Sequence, residues 1–308
     1  MLKARGFQPE NRTAEIEKMS AVIKRARPRA WLLDSPSFTD LHELLALESV
    51  QASAVIWEDE HARAHAFALV DPYCNLLMEC TVAESFSAIF DESVHRASFY
   101  LRQAYSSSGI LPTLDISCRA EDAARLDCIL KEGFITEPYQ TVTLRRDLRA
   151  PLPEAALPAG FHIRPLEGGH ELPAYVALHQ AAFGSGEMTL EMRRAIMRAP
   201  EYDPALDLVA VSPDGKLAAF CVCQIVREEN ALTGEESGWT DPIGVHPDFQ
   251  GLGLGLALLH TGFQKLQERG MARAIIGTRS DNERMLSLAR KAGFSIDHTR
   301  LWFSKSIA

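Results

Sequence analysis

Residues 243–255 read Ile-Gly-Val-His-Pro-Asp-Phe-Gln-Gly-Leu-Gly-Leu-Gly, and this stretch carries the strongest signal in the sequence. An apolar strand runs into a His-Pro pair, and a loop containing Gly251, Gly253 and Gly255 then opens a long predicted helix. The first amides of a helix lack acceptors within the helix, and the helix dipole adds positive charge at the same end. Because glycines let the backbone approach a ligand closely, the stretch predicts a strand–loop–helix unit that binds a phosphate.

The glycine spacing separates three kinds of phosphate loop. A P-loop ends in Gly-Lys-Ser or Gly-Lys-Thr, whereas this loop continues Gly255-Leu-Ala-Leu. The dinucleotide fingerprint has the spacing G-x-G-x-x-G in a first strand–helix turn, whereas the glycines here are spaced G-x-G-x-G. The third pattern, Q/R-x-x-G-x-G/A, is met by Gln250-Gly-Leu-Gly253-Leu-Gly255.

In this third pattern the sequence resembles the GCN5-related N-acetyltransferase (GNAT) superfamily, in its pyrophosphate loop for acetyl-CoA. The resemblance extends over residues 161–308, from I-R-P-L at 163–166 through V-x-P-x-x-Q-G-x-G-x-G to an N-x(10)-G-F pattern that begins at Asn282. It implies acetyl-CoA as co-substrate, a small-molecule amine as acceptor, and no metal.

The resemblance also implies roles for individual residues. Backbone N–H groups of the loop would cradle the CoA pyrophosphate. The loop residues concerned are Gln250, Gly251, Leu252, Gly253, Gly255 and Leu256. The backbone of Ile243, Gly244 and Val245 would bind the pantetheine arm, and the Ile243 N–H would polarise the acetyl carbonyl. Asn282, at the start of the last helix, either faces the pantetheine or caps that helix.

Acetyl transfer to an amine requires a base, because a free alkylamine has a pKa of about 10 and only its neutral form attacks. Family members often place this base on the strand before the loop. Asp241 occupies that position, and in a regular strand it shares a face with Trp239 and Ile243. Glu235 and Glu236 are alternatives, as is a water relay.

The general acid of the family is missing from its usual place. It is usually a tyrosine seven positions after the asparagine of the last helix, and this chain has Ala289 there. No tyrosine follows Tyr202, so the same segment offers no substitute. A thiol has a pKa of about 8.5, so a thiolate can leave without a dedicated acid at some loss of rate. Two functions stay open: an N-acetyltransferase that works by direct attack, and an acetyl-CoA-binding module with little or no catalysis.

The two halves of the sequence end alike. Residues 119–134 read RAEDAARLDCILKEGF and residues 279–294 read RSDNERMLSLARKAGF, at a constant offset of 160 residues. Each segment follows a short apolar strand candidate and precedes a β-rich run, and each contains a Gly-Phe pair where a helix would end. We interpret the chain as a tandem duplication.

Residues 149–160 read RAPLPEAALPAG, and their three prolines and glycine disfavour a helix or strand. We therefore expect a first domain at 1–150, a linker at 151–160 and a second domain at 161–308. Where the second half has its phosphate loop, residues 90–99 lack glycine and include Asp and Glu, so we expect a degenerate first domain without an acetyl-CoA loop. This architecture resembles the two-domain bacterial acetyltransferases of the mycothiol synthase type.

The order of elements in the second half indicates the fold class. An antiparallel opening is followed by strand, helix, strand, helix and strand, which is typical of an α/β fold with a mixed sheet. The predicted elements are a strand at 162–166, a helix at about 171–198, a hairpin at 208–226, a strand at about 238–245 and a helix at about 253–269.

Composition excludes several classes of function. The 308 residues carry a net charge of -9, so there is no overall basic surface for nucleic acid or for an anionic membrane. No apolar run reaches the roughly 18 residues of a membrane span, and the N-terminus lacks the apolar stretch of a signal peptide. The six cysteines form no C-x-x-C pair. We expect a cytoplasmic monomer or homodimer that binds neither nucleic acid nor membrane.

Overall fold

The computed structural model describes most of the chain, namely residues 2–107, 109, 111–151 and 156–307. These residues form two compact units. The first unit comprises Met1–Gln140 together with Arg300–Ala308, and the second comprises Thr141–Thr299. The first unit therefore includes the end of the chain.

Both units contain strands and helices. The strands are β1 (Lys3–Gly6), β2 (Val55–Glu58), β3 (Ala64–Val70), β4 (Leu76–Cys80), β5 (Thr113–Cys118), β6 (Ile135–Asp147), β7 (His162–Pro165), β8 (Asp207–Val211), β9 (Leu217–Val222), β10 (Ser237–Trp239), β11 (Ile243–Val245), β12 (Arg273–Arg279) and β13 (Ser295–Ser306). The α-helices are α1 (Arg12–Ala26), α2 (Phe38–Leu44), α3 (Glu48–Ser53), α4 (Phe86–Ala104), α5 (Ala123–Lys131), α6 (Leu172–Phe183), α7 (Leu190–Met197), α8 (Arg227–Thr233), α9 (Leu254–Glu268) and α10 (Glu283–Lys291). Among the described helices, none combines the length and the apolar character needed to cross a membrane.

The first unit is built on an antiparallel sheet with the strand order β1-β2-β3-β4. Residues 66–70 of β3 are buried without alternation, which is the pattern of a strand covered on both faces. Helices α1 and α4 pack on β3 and β4. Side chains of α4 such as Phe90 and Val94 share one buried cluster with Trp57 of β2.

The second unit contains a four-stranded antiparallel sheet with the order β11-β9-β8-β7. Alternate residues of β9 face two different helices. Ala219 and Cys221 belong to the buried cluster that includes Leu258 of α9, whereas Phe220 packs in a second cluster with Tyr175 of α6. Both faces of this sheet are therefore covered, and the predicted α/β fold class with mixed sheets is confirmed.

The repeat seen in the sequence is present in the structure. Helices α5 and α10 start and end at positions 160 residues apart, and the glycine that follows each has a positive φ, 78° at Gly133 and 81° at Gly293. The N-cap residues also correspond, since the side chains of Asp122 and Asn282 both accept the N–H three residues ahead. The predicted strand–helix–strand repeat closed by glycine is thus confirmed.

Strands β6 and β13 each run from one unit into the other. Residues 141–147 of β6 pair antiparallel with β12 in the second unit, and residues 301–306 of β13 pair antiparallel with β5 in the first. The division by packing thus falls within strands and not at the proline-rich segment 151–160. Residues 152–155 of that predicted linker lie outside the described residues.

The single helix predicted over about 171–198 is wrong. Helix α6 ends before Gly184, which has a left-handed conformation with φ 66°, and α7 begins after Thr189. The Thr189 hydroxyl accepts the Met192 N–H at 3.1 Å. Apolar spacing continues across this turn, so the periodicity concealed a glycine C-cap and a threonine N-cap.

The placement of residues 90–99 as the counterpart of the phosphate loop is also wrong. These residues lie inside α4, which begins at Phe86. The turn that leads into α4 is the 3-10 helix Ala83–Ser85. Residues 81–85 contain no glycine, so the counterpart of the loop in the first unit is short and lacks the glycine spacing.

A buried ion pair ties α7 to the sheet of the second unit. Arg193 is fully buried and pairs with Asp207 on β8, which is also fully buried. The Tyr202 hydroxyl donates to the same carboxylate at 2.5 Å, and the Arg193 guanidinium carbon lies 4.0 Å from the centre of the Tyr175 ring. A buried guanidinium requires a counter-ion, so the pair fixes where α7 can lie.

We expect Asp207→Asn to lower the free energy of unfolding by about 3 kcal/mol or more, because it leaves a buried guanidinium without its counter-ion. Denaturant unfolding followed by circular dichroism measures this change. The matched control is Asp214→Asn, which removes a carboxylate from the exposed pair with Lys216 and should change stability little. Equal losses in both variants would contradict a special role for the buried pair.

Candidate functional site

The segment 237–245 changes its strand partner within three residues. β10 pairs in parallel with β12, and the Thr240 N–H still donates to the Ile275 carbonyl at 2.9 Å. β11 then pairs antiparallel with β9 and forms the edge of that sheet. The strand predicted over about 238–245 is therefore two strands, and within the described residues β11 has no strand partner on its other side.

The register of β11 determines which backbone groups stay open. The Pro242 carbonyl and the His246 N–H both bond to β9, at 3.0 and 2.9 Å. Backbone groups of successive residues in a strand point to opposite edges. The N–H and C=O groups of Ile243 and Val245 are therefore directed away from β9, toward the open edge. Two of the predicted site residues thus present backbone hydrogen-bonding groups where a ligand could pair with them.

Asp241 lies at the point where the two strands separate. Its Oδ2 accepts the N–H of Gly277 on β12 at 2.9 Å, and the peptide bond to Pro242 is cis. The carboxylate thus bonds to β12 just beyond the last pairing of β10. The regular alternation of Asp241 with Trp239 and Ile243, expected for an unbroken strand, does not apply across this interruption.

The two glutamates considered as alternative bases precede β10 in the sequence, so β10 separates them from β11 along the chain. Glu235 accepts two hydrogen bonds from Arg145, at 2.8 and 2.7 Å, and pairs with Arg273 at 3.1 Å. Glu236 has an exposed side chain, and its carbonyl accepts N–H groups from the start of β12. Of the three candidate bases, Asp241 is the nearest to β11 along the chain.

The loop between β11 and α9 has the conformation that glycine permits. Gly251 and Gly253 have φ values of 79° and 83°, and a Cβ at either position would meet no atom within 4 Å. Glycine is therefore needed at both positions because of the backbone conformation, and not because a side chain would lack space. The His246 Nδ1 accepts the Asp248 N–H at 3.2 Å, so this histidine shapes the start of the loop. Leu252 is exposed at the loop tip.

The N-terminus of α9 is open to an anion. Gly253 is its N-cap and offers no capping side chain, and the first turn holds no acidic residue. Gly255 serves packing, because a Cβ there would lie 3.1 Å from Leu288 Cδ2 on α10. Leu256 packs partly against the same buried cluster. The backbone amides of this turn thus face a site without competing negative charge.

Gly244 is required by packing on the α6 side of β11. A Cβ there would lie 2.6 Å from Phe220 Cε1 and 2.9 Å from Ala182 Cβ. The sequence analysis predicted a role for the Gly244 backbone in binding the pantetheine arm. The structure shows in addition that β11 lies close to α6 at this residue. A side chain at this position would force Phe220, α6 or β11 to shift.

Arg284 is a candidate site residue that the sequence analysis missed. Its Nη1 donates to Gln250 Oε1 at 3.2 Å, and Gln250 Nε2 in turn donates to the Val245 carbonyl at 3.4 Å. An exposed guanidinium from α10 is therefore placed beside the glycine loop. Its only signal in the sequence is its position two residues after Asn282.

Asn282 and Ala289 both have structural roles on α10. The Asn282 Oδ1 accepts the Met285 N–H at 3.1 Å, which is the capping interaction considered for it. Ala289 is fully buried within the cluster of the second unit. The position where the family usually carries its acid therefore holds a core residue.

Both cysteines of the second unit are buried. The Sγ atoms of Cys221 and Cys223 lie 3.8 Å apart, and the Cys221 Sγ also donates to the Thr240 carbonyl at 3.5 Å. The hydrogen bond to Cys223 and burial raise the pKa of the Cys221 thiol well above its usual value. Neither thiol is placed to act as an accessible nucleophile.

One group of side chains has the spacing of metal ligands. Glu167, His170 and Glu171 offer ligand atoms within 4.8 Å of one another. Arg164 pairs with both carboxylates, at 3.3 Å to Glu167 and 2.6 Å to Glu171. The absence of a metal requirement stays a prediction.

We expect Gly253→Ala to lower the free energy of unfolding by about 1 kcal/mol, because a left-handed φ is unfavourable for a residue with a Cβ. The matched control is Gly186→Ala, at a loop position that has no positive φ and no atom within 4 Å of the added Cβ. Chemical denaturation measures both. A loss at Gly186 as large as that at Gly253 would contradict the conformational explanation.

Comparison with known proteins agrees with this geometry. Residues 172–294 match the model of the acetyltransferase (GNAT) family. The mycothiol acetyltransferase of Arthrobacter sp. strain FB24 is 34% identical over 150 residues, which cover 47% of this chain and 46% of that protein. That of Kineococcus radiotolerans is 39% identical over 143 residues, which cover 45% and 44%. The matched part of this chain spans about half the length of these curated relatives.

Two solved structures share the fold over almost the whole chain. A GCN5-related N-acetyltransferase from Sphaerobacter thermophilus has a TM-score of 0.64 at 20% identity, covering 99% of this chain and 96% of that one. A tandem GNAT protein from the clavulanic acid biosynthesis pathway has a TM-score of 0.65 at 12% identity, covering 100% and 99%. Residues 172–294 of this chain therefore match the GNAT acetyltransferase family, and the chain has the fold of a tandem GNAT protein.

Proposed function

We propose that this chain is an acetyl-CoA-dependent N-acetyltransferase that acts on a small-molecule amine through its second unit. The observation that carries the proposal is the open edge of β11, together with the glycine loop that connects β11 to the uncapped N-terminus of α9. A long cofactor with a pyrophosphate at one end and an amide-containing arm at the other matches those two features in order.

The pyrophosphate would lie on the loop from Gln250 to Leu256. Backbone amides of that loop and the dipole of α9 supply partial positive charge there, and no acidic side chain in the first turn opposes it. Arg284 adds a full positive charge beside Gln250. The loop of this chain thus has the donors and the charge that a bound pyrophosphate needs.

The pantetheine arm would pair with β11 as an additional strand. Ile243 and Val245 direct their backbone groups toward the open edge, so they can bond to the amides of the arm. The Ile243 N–H would then donate to the acetyl carbonyl oxygen and stabilise the negative charge that develops on it. Asn282 would approach the arm from the start of α10 while it caps that helix.

In the reaction the amine nitrogen forms a bond to the thioester carbon, the carbon–sulfur bond breaks, and the CoA thiolate leaves. The amine nitrogen must also lose a proton. We assign Asp241 as the base that accepts this proton, directly or through water. This carboxylate lies two residues before Ile243, where the strands separate. Ala289 cannot protonate the thiolate, so solvent would do so.

Direct attack is favoured over an acetyl-enzyme intermediate. Such an intermediate would need an accessible nucleophile, and Cys221 and Cys223 are buried in the sheet. The burial of Ala289 at the position of the usual acid favours one rival, an acetyl-CoA-binding module with little turnover. Calorimetric titration with acetyl-CoA combined with a thiol-release assay over a panel of amines separates the two functions, since binding without release on any amine supports the module.

We expect Gly253→Asp to weaken CoA binding by at least tenfold more than Gly253→Asn does. Aspartate and asparagine have nearly the same size and both tolerate a positive φ, so their difference isolates the negative charge placed beside the pyrophosphate. Isothermal titration with CoA measures the affinities. Equal affinity of the two variants would overturn the assignment of this loop to the pyrophosphate.

We expect Asp241→Asn to reduce turnover more at neutral pH than at high pH. At high pH the amine loses its proton to solvent, so the enzyme needs its base less. Asparagine can still accept the Gly277 N–H, which preserves the local structure. The control is Asp248→Asn in the exposed start of the loop. A profile parallel to that of the unaltered enzyme would remove Asp241 from the role of base.

The cytoplasmic location, the monomeric or homodimeric state and the lack of binding to nucleic acid or membrane stay predictions. So does the degenerate role of the first unit, in which the turn before α4 has no glycine loop.

A further inference from the structure

The first unit contains a polar cavity lined by its own residues. The cavity has a volume of about 30 Å³ and opens to solvent. Its walls come from β4, β5, β13, α5 and the segment that follows α1. The walls include five charged side chains, those of Arg27, Asp34, Glu79, Arg125 and Arg300.

Two arginines beside the cavity are matched by carboxylates. Arg27 donates to Glu79 at 2.8 Å and to Asp122 at 3.2 Å. Arg125 donates to the same Glu79 at 3.0 Å and to the Met78 carbonyl at 2.9 Å. All four charged side chains are mostly buried, so they form a neutral group that supports the cavity wall.

Arg300 is the arginine that this network does not satisfy. Its Nη1 donates to the Asp34 carbonyl at 2.9 Å and lies 3.5 Å from Ser117 Oγ, but its buried Nε has no hydrogen-bond partner. The Asp34 carboxylate already pairs with Arg119, and it lies 3.8 Å from the Arg300 Nε. The Arg300 side chain is 22% exposed, so a solute can reach it.

The charges around the cavity therefore do not balance. The ion pairs of this region contain four guanidiniums but three carboxylates. The guanidiniums belong to Arg27, Arg119, Arg125 and Arg300, and the carboxylates belong to Asp34, Glu79 and Asp122. Burial lowers the pKa of Arg300, and although Asp34 opposes this, the positive charges of Arg27 and Arg119 add to it. Arg300 shares its one carboxylate, Asp34, with Arg119, so a further negative group at the cavity wall would stabilise its charge.

We propose that this cavity binds a compact oxyanion, a carboxylate or phosphate group, through Arg300. A guanidinium matches the two oxygens of such a group, and the partly exposed side chain of Arg300 lines the cavity. The Ser117 hydroxyl beside Arg300 supplies a second donor. The bound oxyanion would complete the charge balance of the first unit, whose function would then be to hold an anionic ligand. This proposal does not rest on the transferase activity of the second unit.

The test is isothermal titration of the full chain with inorganic phosphate and, separately, with malonate. We compare Arg300→Gln with Arg96→Gln, a control that removes an exposed arginine from α4 of the same unit. Anion binding at the glycine loop is common to both variants, so their difference reports on the cavity. We expect saturable binding in the control and at least tenfold weaker binding in Arg300→Gln, and the anion that binds more tightly identifies the preferred group.

Arg300→Lys keeps the positive charge but loses the paired N–H donors of the guanidinium. Its affinity for the anion should therefore lie between those of Arg96→Gln and Arg300→Gln. Far-UV circular dichroism without added anion verifies that each variant is folded. If Arg300→Gln does not fold, Arg300→Lys and Ser117→Ala carry the test, and both should bind more weakly than the control. Affinities equal to the control for both anions, or no saturable binding by the unaltered chain, would overturn the proposal.

Discussion

The change of strand partner between Thr240 and Ile243 is the constraint on which the candidate site depends. Thr240 still bonds to β12, whereas Pro242 already bonds to β9, so the chain must leave one sheet and join another within three residues. Asp241 bridges the gap by bonding to Gly277. Because β11 then lies at an edge, its outward backbone groups have no strand partner within the described residues, and such an edge is a template for an extended ligand.

The glycines near this edge meet three different requirements. Gly251 and Gly253 allow a left-handed backbone, Gly255 lets α9 approach α10, and Gly244 lets β11 approach α6. A side chain would be unfavourable for a separate reason in each case: backbone strain at Gly251 and Gly253, a tight contact at Gly255 and steric overlap at Gly244. The loop and the strand are thus held in place by packing on several sides, while the amides at the start of α9 remain free of side-chain caps.

Much of the fold could be predicted from local pattern. The positive-φ glycines that end α5 and α10 were readable from the repeated Gly-Phe pairs, and the loop was readable from its glycine spacing. The break between α6 and α7 was not, because apolar spacing continues through Gly184 and a single glycine is compatible with a helix. Arg284 was missed for a related reason, since its position beside Gln250 depends on how α10 packs against the loop.

By itself the sequence determined the strand–loop–helix unit, the duplication and the lack of a tyrosine at position 289, since all three depend on residue type and on spacing along the chain. Only the tertiary structure decided that β6 and β13 each cross from one unit to the other, that Asp241 bonds to β12, and that Arg300 lacks a full set of partners. These features join residues that are far apart in the chain, Asp34 and Arg300 among them. Periodicity reports which face of an element is buried, but it carries no record of what that face meets.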